Sequence, residues 1–301
     1  MAPARLRPLL YLLGAVIFWG ASFAATKGAY ASLPPMMVMW LRMIVASVTF
    51  LPFWHVVPRP RYQPGDWKLL GLASLFIPCL YFLLEGYAVR FTTSSQAGVV
   101  SAIMPLMVAA GAWLVLGERL RWQGVVGIGV SIAGVIVLST TGVTQESAPA
   151  PALGNLLEVG AMIAATGSTL TIKKLSTRYD PWFLTAFQSA VGVVFFAPLA
   201  LLSGPIEWSA VSRGVWLSIA YLGVLSSLGA FGLYNSALRM LPANRAALAI
   251  NLIPAVALFA GWVLLGEVLS GVQIAACIVI VAAVMFAEVS GHVSPSDPAP
   301  R

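Results

Sequence analysis

Charge is what this chain most lacks. Asp, Glu, Lys and Arg make up 9% of its 301 residues, and apolar residues make up 59%. Soluble domains average about 25% and roughly 45–50%. Polar side chains this scarce cannot cover a water-facing surface, so lipid is the main solvent. Cysteine is nearly absent as well. Cys79 and Cys277 both fall inside apolar runs, which leaves no disulfide framework and no CxxC metal pair; they read as buried small hydrophobes. The two histidines, His55 and His292, lie near or beyond the ends of those runs, and Asp66, Asp180 and Asp297 are scattered through loops and tail. There is no HExxH, no Asp-rich metal motif and no nucleotide-binding loop. These gaps exclude an enzyme, an ATP-driven pump, a metal site and a cofactor.

What remains is a series of ten apolar runs, each about long enough to cross a hydrocarbon core of roughly 30 Å. Lipid offers backbone groups no partners, and the alternation that barrel strands need is missing, so the runs read as helices. The expected fold class is therefore an all-α integral membrane protein with ten transmembrane helices. The spans are placed at 9–31, 34–55, 67–89, 93–116, 122–141, 153–175, 181–203, 213–237, 243–266 and 271–290. Arg5 and Arg7 before the first run imitate a signal peptide, but its length, Trp19 and Lys27 make it a retained helix.

The net charge of +7 raises the question of nucleic acid, and its placement answers it. With the N-terminus inside, Arg5, Arg7, Arg59, Arg61, Lys68, Arg119, Arg121, Lys173, Lys174, Arg178, Arg239, Arg245 and Arg301 all fall on the cytoplasmic side. Lys27, Arg90 and Arg213 fall outside, and Arg42 stays within the second span. That is the positive-inside pattern, with both termini cytoplasmic. The excess charge sets orientation, so no nucleic-acid partner is expected.

The chain also repeats itself. Residues 88–120 align without a gap to 237–269, a shift of 149, bringing Pro105, Trp113 and Gly117-Glu118 onto Pro254, Trp262 and Gly266-Glu267. Earlier landmarks agree under a shift of 146: Gly14, Lys27, Pro35, Phe50 and Pro52 meet Gly160, Lys173, Pro181, Phe196 and Pro198. Five spans per half is odd, so the second half enters the membrane from the opposite side. The expected organisation is a first repeat at 9–141, an extracytoplasmic linker at 142–152, a second repeat at 153–290 and a disordered cytoplasmic tail at 291–301. Inverted repeats of this kind suit alternating access, with the substrate site near the midplane between them.

Trp19-Gly20-Ala21-Ser22-Phe23, Pro105 with Leu116-Gly117-Glu118, and Asn251-Leu252-Ile253-Pro254 with Leu265-Gly266-Glu267 resemble EamA-type members of the drug/metabolite transporter superfamily. The resemblance covers about residues 9–290. It implies two inverted five-helix repeats around a central cavity lined mainly by the first four helices of each half. It also implies carriage of small metabolites such as amino acids, or of drug-like compounds, usually outward.

Ionisable groups within spans are functional candidates by default, because each costs several kcal/mol unless paired or watered. Arg42 and Glu85 lie at similar depths below the outer ends of spans two and three. The pair reads either as a structural lock or as a site in which Arg42 receives an anionic group while Glu85 binds an amine or a proton. Glu85 is the proton-coupling candidate. Under the duplication Arg42 aligns with Gln188 and Glu85 with Tyr234, which makes these two the neutral partners. Tyr81 lies one turn before Glu85 and shares its face. Mid-span Trp19 needs a partner for its N–H, as packing or as a face for a cationic or aromatic substrate. Asn235 and Asn251 complete the set, Asn251 three residues before Pro254, whose ring frees a carbonyl. Each Asn reads equally as a structural brace. Gln96, Glu118 and Glu267 are left out, as groups solvated at the ends of spans.

These expectations converge on a secondary transporter in a bacterial-type inner membrane. It takes a small molecule, exchanges it with protons, meets lipid all round and works as a monomer or homodimer. A channel or a receptor-like binding protein is the other class left open, although acidic pore-lining rings are absent.

Overall fold

The computed structural model describes residues 3–58, 60, 62–116, 122–141, 148–241 and 243–289. Glu118, residues 142–147 of the linker and the tail from 290 onwards lie outside the described residues. Among the described residues the chain is all-helical, in ten runs. They are α1 (Pro3–Ala29), α2 (Pro35–Phe50), α3 (Asp66–Phe91), α4 (94–116), α5 (Trp122–Thr140), α6 (Pro151–Leu175), α7 (Pro181–Leu201), α8 (Arg213–Met240), α9 (243–265) and α10 (Gly271–Val289). Six of the described helices are long and apolar enough to cross a membrane, at Arg7–Ala29, Pro35–Phe53, Asp66–Phe91, Ser94–Gly111, Pro181–Leu201 and Arg213–Met240. The large apolar side chains left exposed, such as Leu114, Val194, Leu217 and Phe259, form the lipid-facing surface that the composition requires.

The repeat seen in the sequence governs the packing. α5 packs on α10, α2 on α7, and α4 on α9, each on its own counterpart; α3 packs on α6 just as α8 packs on α1. The irregular turns recur too. α3 is kinked within Leu75–Leu80, where Ile77 is not helical, and α8 contains a widened π-helical stretch at Leu222–Ala230. α4 and α9 tighten to 3-10 turns at Ser101–Ile103 and Ala249–Leu252, just ahead of Pro105 and Pro254. Proline lacks the N–H that would continue the ladder, and the tightened turn accommodates the loss. Departures of this kind inside helices concentrate at functional sites.

Matching lysines close the helix ends. Lys27 Nζ, at the end of α1, donates to the carbonyls of Val89 and Thr92 at 2.6 and 2.5 Å. Lys173 Nζ, at the end of α6, donates to those of Leu238 and Leu241 at 2.6 and 2.7 Å. Val89 and Leu238 are counterparts, as are Thr92 and Leu241. A cation over the last carbonyls of a helix meets unpaired acceptors and the negative end of the macrodipole. Glu267 does the converse job for α4. It accepts from the backbone N–H and the hydroxyl of both Ser94 and Ser95, at 2.6–2.9 Å. Sequence reasoning had left Glu267 to solvent; the open N-terminus of a neighbouring helix holds it instead. Gln96 is also corrected, since it is buried and accepts from Thr92 Oγ1 at 3.2 Å and Asn155 Nδ2 at 2.9 Å.

Where α6 starts, it presses against the end of α3 through a glycine. A Cβ on Gly154 would lie 2.7 Å from Thr92 N and 2.8 Å from the carbonyl oxygen of Ala88, backbone atoms that cannot swing aside. Gly154→Ala is therefore expected to destabilise the fold by about 1–3 kcal/mol, read as a lower melting temperature of the purified protein. Gly71→Ala, inside a helix where nothing lies within 4 Å, does not lower it and raises it slightly.

On the side where α3 begins, Asp66 is buried and receives Arg178 Nη2 at 2.8 Å and Tyr179 OH at 2.9 Å. Burial of the ring and its hydrogen bond to Asp66 push the Tyr179 phenol up to about 12. These contacts tie the loop between α6 and α7 to the first repeat.

Candidate functional site

A narrow cavity lies among α1, α3, α4, α6, α7, α8 and α9, and so draws on both repeats. Of the residues singled out from the sequence, Trp19, Tyr81, Glu85, Gln188, Tyr234 and Asn235 line it. Arg42 and Asn251 do not. Ser101, Ser168, Thr169 and Phe231 line it as well, small polar and aromatic residues that carry no distinguishing sequence signal.

The acidic side of the cavity is built from α3. Tyr81 OH donates to Glu85 Oε1 at 2.8 Å, the one-turn pairing expected from their spacing. Arg42 Nη1 approaches Glu85 Oε2 at 3.5 Å, and both side chains are almost fully buried. The rest of the Arg42 guanidinium is taken up elsewhere. Nε donates to Ser227 Oγ at 2.8 Å and Nη2 to Ser226 Oγ at 3.0 Å, while the group lies 4.3 Å over the Phe82 ring. Arg42 thus sits outside the cavity wall, as the counter-charge to Glu85 and a clamp on the widened stretch of α8.

Its repeat counterpart clamps the matching stretch of α3. Ile77 is extended (φ −132°, ψ 121°), which breaks the hydrogen-bond ladder of α3 beside the cavity. Gln188 Nε2 donates to the stranded carbonyls of Ala73 and Ile77 at 3.2 and 2.7 Å. The alignment of Arg42 with Gln188 is thereby a structural equivalence: each reaches from the second helix of its repeat to the irregular stretch of the other repeat's third helix.

The opposite wall is aromatic. The Trp19 ring packs edge-on to Phe231 at 4.9 Å and tilted against Tyr234 at 5.1 Å. Its buried indole N–H has no hydrogen-bond partner, so a donor stands ready in the cavity wall. Tyr234 sits beside Thr169. Asn235 Nδ2 donates to Thr185 Oγ1 at 3.0 Å, bracing α8 against α7. Asn251 is half-buried in the 3-10 turn before Pro254.

One residue that sequence reasoning passes over belongs beside this group. Glu158 lies two turns into α6 and is fully buried, and neither of its carboxylate oxygens has a hydrogen-bond partner. α3 packs against this stretch of α6, with the Ala88 carbonyl against Gly154 and Leu84 against Gly160, about one turn or less from Glu85 and Glu158. The signal that finds it is the one that finds Glu85, an ionisable residue inside an apolar run. Among the described residues there is no cluster of His, Cys, Asp and Glu that holds a metal ion.

Long apolar helices packed around a part-polar, part-aromatic cavity define a multi-pass membrane protein with an internal cavity. The comparisons make the class specific. The EamA-like transporter family matches at residues 6–140 and again at 152–288, and the chain belongs to that family. It is 30% identical to the uncharacterized transporter YcxC of Bacillus subtilis, over 96% of this chain and 93% of that protein. It is 26% identical to a protein of Escherichia coli K12 named a probable amino-acid metabolite efflux pump, over 88% and 89% of the two chains. A solved crystal structure shares the fold with a TM-score of 0.69 at 20% identity, over 94% of this chain and 99% of that one.

Proposed function

We propose that the protein is a secondary carrier of the inner membrane that exports a small amphipathic metabolite, an amino acid or an organic cation, in exchange for protons. The observation that carries this reading is the cavity itself: both repeats line it, and it pairs one buried carboxylate, Glu85, with an aromatic wall. The carboxylate takes an ammonium group or a proton, and Trp19, Phe231 and Tyr234 take the apolar part of the substrate. The name of the Escherichia coli relative favours amino-acid metabolites and outward movement.

Alternating access follows from reading the ten helices as ten spans in two inverted repeats, with both termini cytoplasmic. The two lysine caps support that reading. The cap of Lys27 lies at the end of the bundle where α6 begins, since Asn155 of α6 contacts Thr92. The cap of Lys173 lies where α6 finishes. Equivalent ends of the two repeats therefore fall on opposite faces, and exchanging the conformations of the repeats swaps the open side. In this scheme Glu85 is the coupling group, and Tyr81, Gln188, Tyr234 and Asn235 are its neutral company in the cavity. Arg42 and Asn251 support the wall from outside.

Counterflow in liposomes tests the reading. Protein loaded with one unlabelled amino acid or organic cation is expected to accumulate the labelled compound transiently, with saturation. Ala165→Phe, which fills the cavity from α6, abolishes the signal. Flux that neither saturates nor shows counterflow identifies a channel, and binding without flux identifies a receptor-like protein; either result overturns the proposal.

A further inference from the structure

Beside the cavity lies one carboxylate more than the visible counter-charge accounts for. Glu85 is matched by Arg42, whose remaining donors are held by Ser226 and Ser227. Glu158 has no such match. It is 0% exposed, both of its oxygens lack partners, and it lies one helical turn from the cavity residue Met162.

No neighbouring helix supplies a buried cation among the described side chains: Lys68 and Arg90 of α3 and Arg213 and Arg239 of α8 are all exposed. α3 brings Glu85 and Tyr81: it packs on α6 with the Ala88 carbonyl against Gly154 and Leu84 against Gly160, on either side of Glu158. α4 brings the neutral Gln96 and Ser101, and α8 brings Tyr234. α5 has no titratable residue among those described. α9 meets α6 at the other end, where Lys173 caps Leu241. Lys27, which lies at this end of α6, is spent on the carbonyls of Val89 and Thr92. Two carboxylates thus face a single guanidinium. An unpaired buried charge costs far too much to persist, so the site must recruit one further positive charge.

We propose that Glu85 and Glu158 form a two-carboxylate site that holds one exchangeable positive charge: a proton when the cavity is empty, and the ammonium of an aromatic or apolar monoamine when it is filled. The inference rests on reading the cavity as the substrate site. The exchange balances without further reactants. One carboxyl O–H bond breaks, its proton leaves to water, and the carboxylate so formed pairs with the incoming ammonium. Because the site lacks a single charge, one proton leaves for each monoamine bound. A dication, which brings one charge too many, binds less well.

The test uses the purified full-length chain in detergent, with infrared difference spectroscopy and phenethylamine as the probe. The wild-type protein at neutral pH is expected to show the C=O band of one protonated buried carboxyl. Phenethylamine displaces that band and releases about one proton per chain into weakly buffered solution. Glu158→Gln removes both signals. If Glu158→Gln does not fold, Glu158→Asp keeps the carboxyl and must shift the band. A wild-type protein without the band, a band indifferent to both substitutions, or a band that phenethylamine leaves in place overturns the proposal. None of these signals depends on flux. A protein that shows the band but fails counterflow keeps this site and loses the carrier reading; one that transports without the band does the reverse.

Discussion

Arg42→Met lowers the unfolding free energy by about 3–5 kcal/mol, the usual cost of leaving one partner of a buried ion pair alone. Arg42 is 1% exposed and Glu85 4%, so neither is rescued by solvent. The substitution also releases Ser226 and Ser227 in the widened stretch of α8, and removes the guanidinium from the face of Phe82. Glu85→Gln in the same chain recovers part of the loss, because the stranded charge is then gone. A double-mutant cycle in mixed micelles measures the coupling between the two. Equal losses in the single and double variants would mean that Arg42 matters only as a clamp on α8.

Glu85→Gln alone has the larger effect on transport. Glutamine keeps the shape of the side chain and still accepts from Tyr81 OH, but it cannot exchange a proton. An imposed inward-acid gradient is expected to drive export at least tenfold less effectively in the variant, a loss of about 1.4 kcal/mol or more of driving interaction. Exchange of labelled for unlabelled substrate without a gradient is affected less. Gradient dependence equal in wild type and variant would move the coupling away from Glu85 and leave it as the structural partner of Arg42.

Both predictions begin from residues that stand out in the sequence, because charge is so scarce there. In a chain with 9% charged residues, an Arg and a Glu inside apolar runs identify themselves, and helical spacing alone puts Tyr81 on the face of Glu85. The duplication was equally plain: a shared Pro, Trp and Gly-Glu survive in one register where apolar letters say little. The same logic applied evenly would have found Glu158, which lies inside the run at 153–175.

Other features depend on geometry that no spacing encodes. Gln188 works as it does because Ile77 is extended and leaves carbonyls for it to bind. A proline at 78 announces a fault in the ladder but not the residue that repairs it. Glu267 looked like a solvated end residue, since nothing in the order of the chain reveals that the N-terminus of α4 sits over it. Arg42 was legible as a buried charge, whereas its position outside the cavity wall is a matter of which way the side chain runs between α2 and α8.

The most direct test of the account is whether the cavity is reached from each face in turn. Ser101→Cys and Thr169→Cys place single thiols in its wall, one from each repeat, once Cys79 and Cys277 have been replaced by Ala. An impermeant maleimide added to one side of the membrane or the other reports the rate at which each thiol is exposed there. The account predicts that both thiols are labelled from both sides, and that a pH or ligand condition which speeds labelling from one face slows it from the other. Labelling from a single face, or rates on the two faces that rise and fall together, would contradict it.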